Sequence, residues 1–268
     1  MKKAIDYKQS SITYYSFGYG SNVLFCFHGY GQSGKNFAFL ENELGLHYTL
    51  LCLDLPYHGD TIWNESQPIS AKALFDILQT INPTPKEKFS ILAYSMGGRI
   101  ALQLIQNHAD EIKHAVLIAP DGLELNRVQQ FATQTQLGNW LFVRTMKNPY
   151  WFFKVIDGLE AIRFINKKIA KFAIHHINTK QKRKELYSRW MALKAFMPNG
   201  RIVNRKLAEY GFSLHIIIGK YDKLITSKHA KRFKNGKQQV VIHTFNDGHE
   251  LLKEKFSTDI SKLFNGIS

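Results

Sequence analysis

At 268 residues and 44% hydrophobic content, the chain can bury one large α/β core, or a domain of roughly 180 residues carrying an insertion, without disulfide or metal staples. No run of eighteen apolar residues occurs, and the lysines of the N-terminal MKKAIDYKQSS are followed by no apolar stretch, so the expectation is a cytoplasmic protein with neither spanning helix nor signal peptide. The formal net charge of +15 invites a nucleic-acid reading, but no finger, RNA-recognition or helix-turn-helix signature accompanies it; an anionic carrier or membrane surface is the better-fitting partner, and nucleic acid is not expected.

Residues 4–7 and 12–17 predict a pair of edge strands, with a glycine turn at 18–21. The apolar run 23–27 reads as a strand buried on both faces of a parallel sheet. It stops at the loop His28-Gly29-Tyr30-Gly31-Gln32-Ser33-Gly34, where backbone N–H groups can converge on a ligand, and the Tyr30 N–H is a candidate oxyanion donor. A helix over 33–43 leads to a second apolar run, 48–53, which ends in the turn 54–61. Cys26 and Cys52 lie inside these runs and read as buried core thiols, not as a disulfide. Ser70 is expected to cap a helix bearing Ala71, Leu74, Phe75 and Leu78 on one face.

The stretch 89–105, FSILAYSMGGRIALQLI, changes its apolar period from two to 3.6 at Ser95. A strand that becomes a helix within two residues holds its turn residue in strained geometry and needs small neighbours, which Ala93, Gly97 and Gly98 supply. The result is an exposed hydroxyl at a helix N-terminus, poised as a nucleophile, with the Met96 N–H aimed where an oxyanion would form. A further strand over 115–119 ends at Pro120-Asp121-Gly122.

From 123 to 205 the strand signal disappears. This stretch holds sixteen Lys and Arg against four acids, +12 of the +15. Leu159, Ile162, Ile165, Ile169, Phe172 and Ala173 fall at helical spacing, with Arg163, Lys167 and Lys171 as a basic stripe on another face. Thr179 reads as the N-cap of a second helix, which Pro198-Asn199-Gly200 terminates. The segment is therefore a helical, aromatic-rich, basic insertion at 123–205, between core segments 1–122 and 206–268. Strands resume at 214–218, ending near Asp222, and at 240–245, ending near His249, with a terminal helix to follow.

Strands alternating with helices describe a parallel sheet whose chemistry lies at the carboxyl ends of its strands. Ser95, Asp222 and His249 fall at three such ends in the order nucleophile, acid, base. An imidazole must take the serine proton, and a carboxylate must fix the imidazole tautomer, so His249 is assigned as base and then acid, with Asp222 as its partner and Asp121 as the competing acid. With these residues in place the chain resembles the α/β-hydrolase superfamily, in the branch whose helical cap follows the sixth strand. His28-Gly29 with Tyr30 resembles the oxyanion loop, Ala93-Tyr94-Ser95-Met96-Gly97 the nucleophile elbow, with alanine where glycine is usual, and 54–59 the turn after strand four.

The resemblance implies a serine hydrolase for a small-molecule carboxylic ester or thioester with an apolar acyl group. It also implies a pocket drawing on His28, Gly29, Tyr94 and Trp151, with no cofactor and no metal. Carbon–carbon bond cleavage or a lyase step with the same residues, and a non-catalytic binding protein with a basic docking cap, are the alternatives. Asp247, His243 and His58 read as structural or surface residues.

Overall fold

Eight strands form one sheet in a computed structural model that describes residues 1–162, 174, 175 and 177–265. They are β1 (Lys2–Tyr7), β2 (Ser10–Phe17), β3 (Asn22–Phe27), β4 (Tyr48–Leu53), β5 (Phe89–Tyr94), β6 (Ile112–Ile118), β7 (Leu214–Gly219) and β8 (Val240–Phe245), in the order β1-β2-β4-β3-β5-β6-β7-β8. β2 runs antiparallel to β1 and β4, and all other pairs are parallel. The central strands are mostly apolar and buried because both faces are covered. On one face Leu24, Cys26, Leu92, Val116 and Ile118 pack with Phe37, Leu40, Ile260 and Phe264. Cys26 and Cys52 are register partners on β3 and β4 and stay free thiols, with burial pushing the Cys52 thiol up.

Two units make up the chain: Met1–Leu125 with Ala195–Ser268, and Asn126–Lys194. In the sheet unit, the helix expected over 33–43 is instead a 3-10 stretch, Gly34–Leu40, followed by one α-helical turn, α1 (Glu41–Leu44). The Gly34 N–H is bound by the buried Asp54 carboxylate at 2.7 Å, which ties this entry to the turn after β4. α2 (Ala71–Ile81) is capped by the Ser70 hydroxyl, and α3 (Met96–His108) rests on β3, β5 and β6.

The second unit contains α4 (Arg127–Gln134), α5 (Gln136–Lys147), α6 (Tyr150–Ala161) and α7 (Lys180–Ala192). Asn126, Thr135 and Thr179 cap α4, α5 and α7. Ala132, Phe142, Ile177 and Leu186 form its core, with Phe152, Phe153, Tyr187 and Trp190 against them. The expected stripe Arg163, Lys167, Lys171 and the apolar positions Ile165, Ile169, Phe172 and Ala173 lie outside the described residues.

The unit ends at Lys194, short of the boundary at 205 read from the sequence. Residues 195–205 belong to the sheet unit because α8 (Gly200–Tyr210) buries Val203 and Leu207 there, against α3. Gln103 and Gln106 of α3 accept from the Met197 and Asn199 N–H groups, and Asn199 caps α8. The sequence carries the signal for this helix in its Asn199 cap, the i,i+4 pair Val203 and Leu207, and Gly211 at its left-handed end. α9 (Ser227–Lys234) and α10 (Ser257–Asn265) complete the unit. No helix among the described residues is long and apolar enough to cross a membrane.

His114, His215 and His243 form a diagonal row across β6, β7 and β8, since His215 lies opposite Val116 and His243 opposite Ile217. The His215 and His243 rings stack at 5.1 Å and share a 2.9 Å hydrogen bond. His114 stands 4.9 Å from His215 and edge-on to Phe264. Burial lowers the pKa of all three, and for His114, with His215 adding to the effect, it falls to about 3.

Candidate active site

Ser95 is the residue at which β5 becomes α3, and its backbone shows the cost of that turn: φ is 48° and ψ −114°, a region that non-glycine residues rarely occupy. The close approach that forces this turn is visible at the next glycines. A Cβ at Gly97 would lie 2.1 Å from the Phe27 carbonyl oxygen, and one at Gly98 would lie 2.4 Å from Pro120 Cβ. Backbone bonds lock the turn: the Ser95 N–H donates to Ile118 O at 2.9 Å, and the Asp121 N–H donates to Ser95 O at 2.8 Å.

From Ser95 a hydrogen-bonded chain runs inward. Ser95 Oγ lies 3.0 Å from His249 Nε2, and His249 Nδ1 lies 2.8 Å from Asp222 Oδ2. The Asp222 side chain is fully buried, and its other oxygen accepts from the Leu224 and Ile225 N–H groups at 2.8 and 2.9 Å. Burial alone would raise this carboxyl, but the His249 hydrogen bond and the two N–H donors outweigh it and hold it below the usual carboxylate range. An ionised Asp222 accepts a hydrogen bond from the Nδ1–H of His249 and keeps the proton on that nitrogen, so Nε2 presents its lone pair to the serine hydroxyl. The loops after β7 and β8 that carry these groups are joined, with the Tyr221 N–H donating to Asp247 O at 3.0 Å.

Asp121, the competing acid, is engaged elsewhere. Its carboxylate pairs with the buried Arg99 guanidinium at 2.6 Å. Asp247, read as structural, accepts from Gly248 N–H and pairs with Lys255, and these contacts hold its pKa down at about 2.

The two expected oxyanion donors belong to neighbouring strand ends. Phe27 and Ala93 are register partners on β3 and β5; Tyr30 stands three residues beyond the first and Met96 three beyond the second. Met96 opens α3, so its N–H is among the helix N-terminal donors that have no intrahelical acceptor. The loop bearing Tyr30 is closed by Gln32, whose N–H donates to Gly29 O at 3.2 Å and whose Oε1 accepts from the Gly29 N–H at 3.1 Å.

The pocket expectations need correction for two residues. His28 is fully buried: its Nε2 accepts from the Leu55 N–H at 3.1 Å and its Nδ1 is 2.8 Å from Gly29 O, so it fastens the end of β3 to the turn after β4 and does not line a cavity. Tyr94 is 5% exposed and stands behind the site, with its hydroxyl donating to His249 O at 3.3 Å and its ring 5.8 Å from the imidazole. The same ring would meet a Cβ at Gly29 at 2.9 Å, so Tyr94 braces both His249 and the loop before Tyr30. Burial pushes its phenol up to about 12 and keeps it neutral. Trp151 lies on α6 of the helical unit, half-buried and edge-on to Phe152 at 5.9 Å.

Asp54, placed only in a turn by the sequence, proves to be a strut. One oxygen accepts from the Gly34 N–H and the other from the Asp60 N–H at 2.8 Å, and burial raises its carboxyl despite both bonds. Its signal in the sequence was a polar residue ending a buried strand beside a glycine-rich loop. Among the described residues no group of three or more His, Cys, Asp or Glu could hold a metal ion.

Comparison with known proteins follows this architecture. The family model described as the alpha/beta hydrolase fold matches residues 22–256. Among solved structures, the chain is similar to the thioesterase domain from the curacin biosynthetic pathway, at 15% identity over 99% of each chain and a TM-score of 0.69. It is similar to the enol-lactonase from Burkholderia xenovorans LB400, at 13% identity over 98% of this chain and all of that one, with a TM-score of 0.68. A bacterial membrane phospholipase A matches at 18% identity over all of this chain and 86% of its own, with a TM-score of 0.65. At these identities the likeness is one of fold.

Proposed function

Because the chain belongs to the alpha/beta-hydrolase family, we propose that it hydrolyses a small-molecule carboxylic ester or thioester with an apolar acyl group, through an acyl-enzyme on Ser95. The observation that carries this reading is the hydrogen-bonded chain from Ser95 Oγ through His249 to the buried Asp222. Three similar structures bear the names of a thioesterase, a lactonase and a phospholipase, and all three names describe the transfer of an acyl group from oxygen or sulfur to water.

The proposed steps use side chains, backbone and water. Ser95 Oγ attacks the acyl carbon as His249 Nε2 takes its proton, and the Tyr30 and Met96 N–H groups hold the oxyanion that forms. The tetrahedral species collapses, breaking the C–O or C–S bond, and His249 returns the proton to the departing alcohol or thiol. Water, deprotonated by the same imidazole, then attacks the acyl-enzyme, releasing the carboxylic acid and restoring Ser95. Asp222 holds the imidazole in the required tautomer and stabilises its cation throughout.

Intact mass after exposure to a fluorophosphonate tests the reading. One adduct is expected on the wild type and none on Ser95→Ala, with ester turnover in that variant reduced by at least about 10³-fold. A chain-length series of p-nitrophenyl esters and acyl thioesters then defines the acyl group. Absence of an adduct on the folded wild type would overturn the proposal.

A further inference from the structure

The helical unit, Asn126–Lys194, carries fourteen basic and three acidic residues, and neither α4 nor α5 contains an acid. Along α5, at 100° per residue, Leu137, Trp140, Arg144 and Lys147 fall within an arc of about 80°. Gly138, Phe142 and Thr145 on the other side are buried, so the stripe is the outer face. Leu137 is 61% exposed and Trp140 56%, and the Arg144 guanidinium lies over the Trp140 ring at 5.6 Å. On adjoining α4, Val128 and Phe131, one turn apart, are also exposed. Beside this stripe, a groove of about 820 Å³ between α5 and α7 has Val143, Met146 and Tyr187 among its apolar lining and Lys147, Lys180 and Lys184 among its cations.

We propose that this face of α4, α5 and α7 docks the protein on an anionic phospholipid bilayer. Leu137 and Trp140 enter the boundary between headgroups and acyl chains, while Arg144, Lys147, Lys180 and Lys184 meet lipid phosphates. The argument is charge complementarity joined to exposed apolar area. Large apolar side chains and cations share one helix stripe with no acid among them, the pattern of a helix lying in the plane of a membrane surface. A small soluble anion would engage the lysines and leave Leu137 and Trp140 in water. Tryptophan is favoured at the headgroup level, and each Lys or Arg near an anionic leaflet adds attraction that salt weakens. Since no helix among the described residues can span a bilayer, the contact is peripheral.

The test uses the full-length Ser95→Ala protein, so that lipid is not consumed and the outcome does not depend on the hydrolase reading. Its partition onto sedimenting vesicles of phosphatidylcholine is compared with and without phosphatidylglycerol, at low and high salt. Binding at least about tenfold stronger to the anionic vesicles, weakened by salt, is expected. Neutralising Lys147, Lys180 and Lys184 to Gln together should weaken it by about fivefold per lysine, on the order of a hundredfold in all. Leu137→Ser with Trp140→Ala, at unchanged charge, should weaken it by roughly tenfold. Circular dichroism checks that each variant is folded. Equal binding to both vesicle types, binding to neither, binding unaffected by either set of substitutions, or a preference for a soluble acidic acyl carrier over the vesicles would overturn the proposal.

Discussion

The unit that holds Ser95 carries 22 basic and 18 acidic residues, whereas residues 126–194 carry 14 and 3. In the first unit polar side chains are placed to hold one another: Asp54, His28, Asp222, Arg99 and Asp121 are each fixed by backbone or by an opposite charge. In the second, polar groups are used at caps and inside, as where the Arg183 guanidinium binds the Met146 and Ile177 carbonyls at 2.9 Å, but the outer face of α5 leaves Leu137, Trp140 and cations to solvent. The contrast teaches that charge in this chain is divided unevenly between the two units. Around Ser95 it is neutralised locally, and on the helical unit one sign accumulates.

The largest effect that could break this comparison concerns the two candidate acids. Asp222→Asn should lower kcat by about 10⁴-fold with the fold intact, because the amide imposes the wrong tautomer on His249. Asp121→Asn should leave kcat within about threefold yet cost about 2 kcal/mol, since it removes the 2.6 Å ion pair with the buried Arg99. Paired ester kinetics and thermal melts on both variants separate the roles. The reverse pattern would make Asp121 the acid and Asp222 a strut.

A smaller effect follows from the histidine row. The folded pKa of His114, about 3, lies below its unfolded value, so the unfolded chain takes up a proton first as pH falls. The associated stability is complete above about pH 6.5 and is lost as pH drops from there toward 3; between pH 8 and pH 5 the loss from His114 is about 2 kcal/mol. His215 and His243, lowered by burial too, act in the same direction. Urea unfolding at the two pH values, for wild type and His114→Phe, measures this, and the variant should show the shallower acid loss by roughly that amount.

The smallest effect is on the helical unit itself. Changing Lys147, Lys180 and Lys184 to Gln should shift stability by no more than about 0.5 kcal/mol, because exposed lysines contribute little to the fold. A thermal melt showing a larger loss would place them among the structural charges and dissolve the contrast between the units.

The alternation of buried strands with helices, the change of period at Ser95, and the order Ser95, Asp222, His249 were legible in the sequence because each is a local pattern: apolar spacing, small residues at a tight turn, a polar residue just past a strand end. Thr179 and Ser70 as caps were legible for the same reason. The end of the helical unit was not, since the assignment of α8 depends on Val203 and Leu207 meeting α3, about a hundred residues earlier in the chain. Nor was it legible which of the two carboxylates faces an imidazole and which a guanidinium. The pocket roles read for His28 and Tyr94 failed because a residue at a strand end can point outward to a ligand or inward to a strut, and sequence spacing is the same for both. The sequence by itself determined the elements and the chemical types available at their ends. Only the tertiary structure decided which of those groups meet, because hydrogen bonds of about 3 Å between residues far apart in the chain depend on the register and twist of the sheet that brings them together.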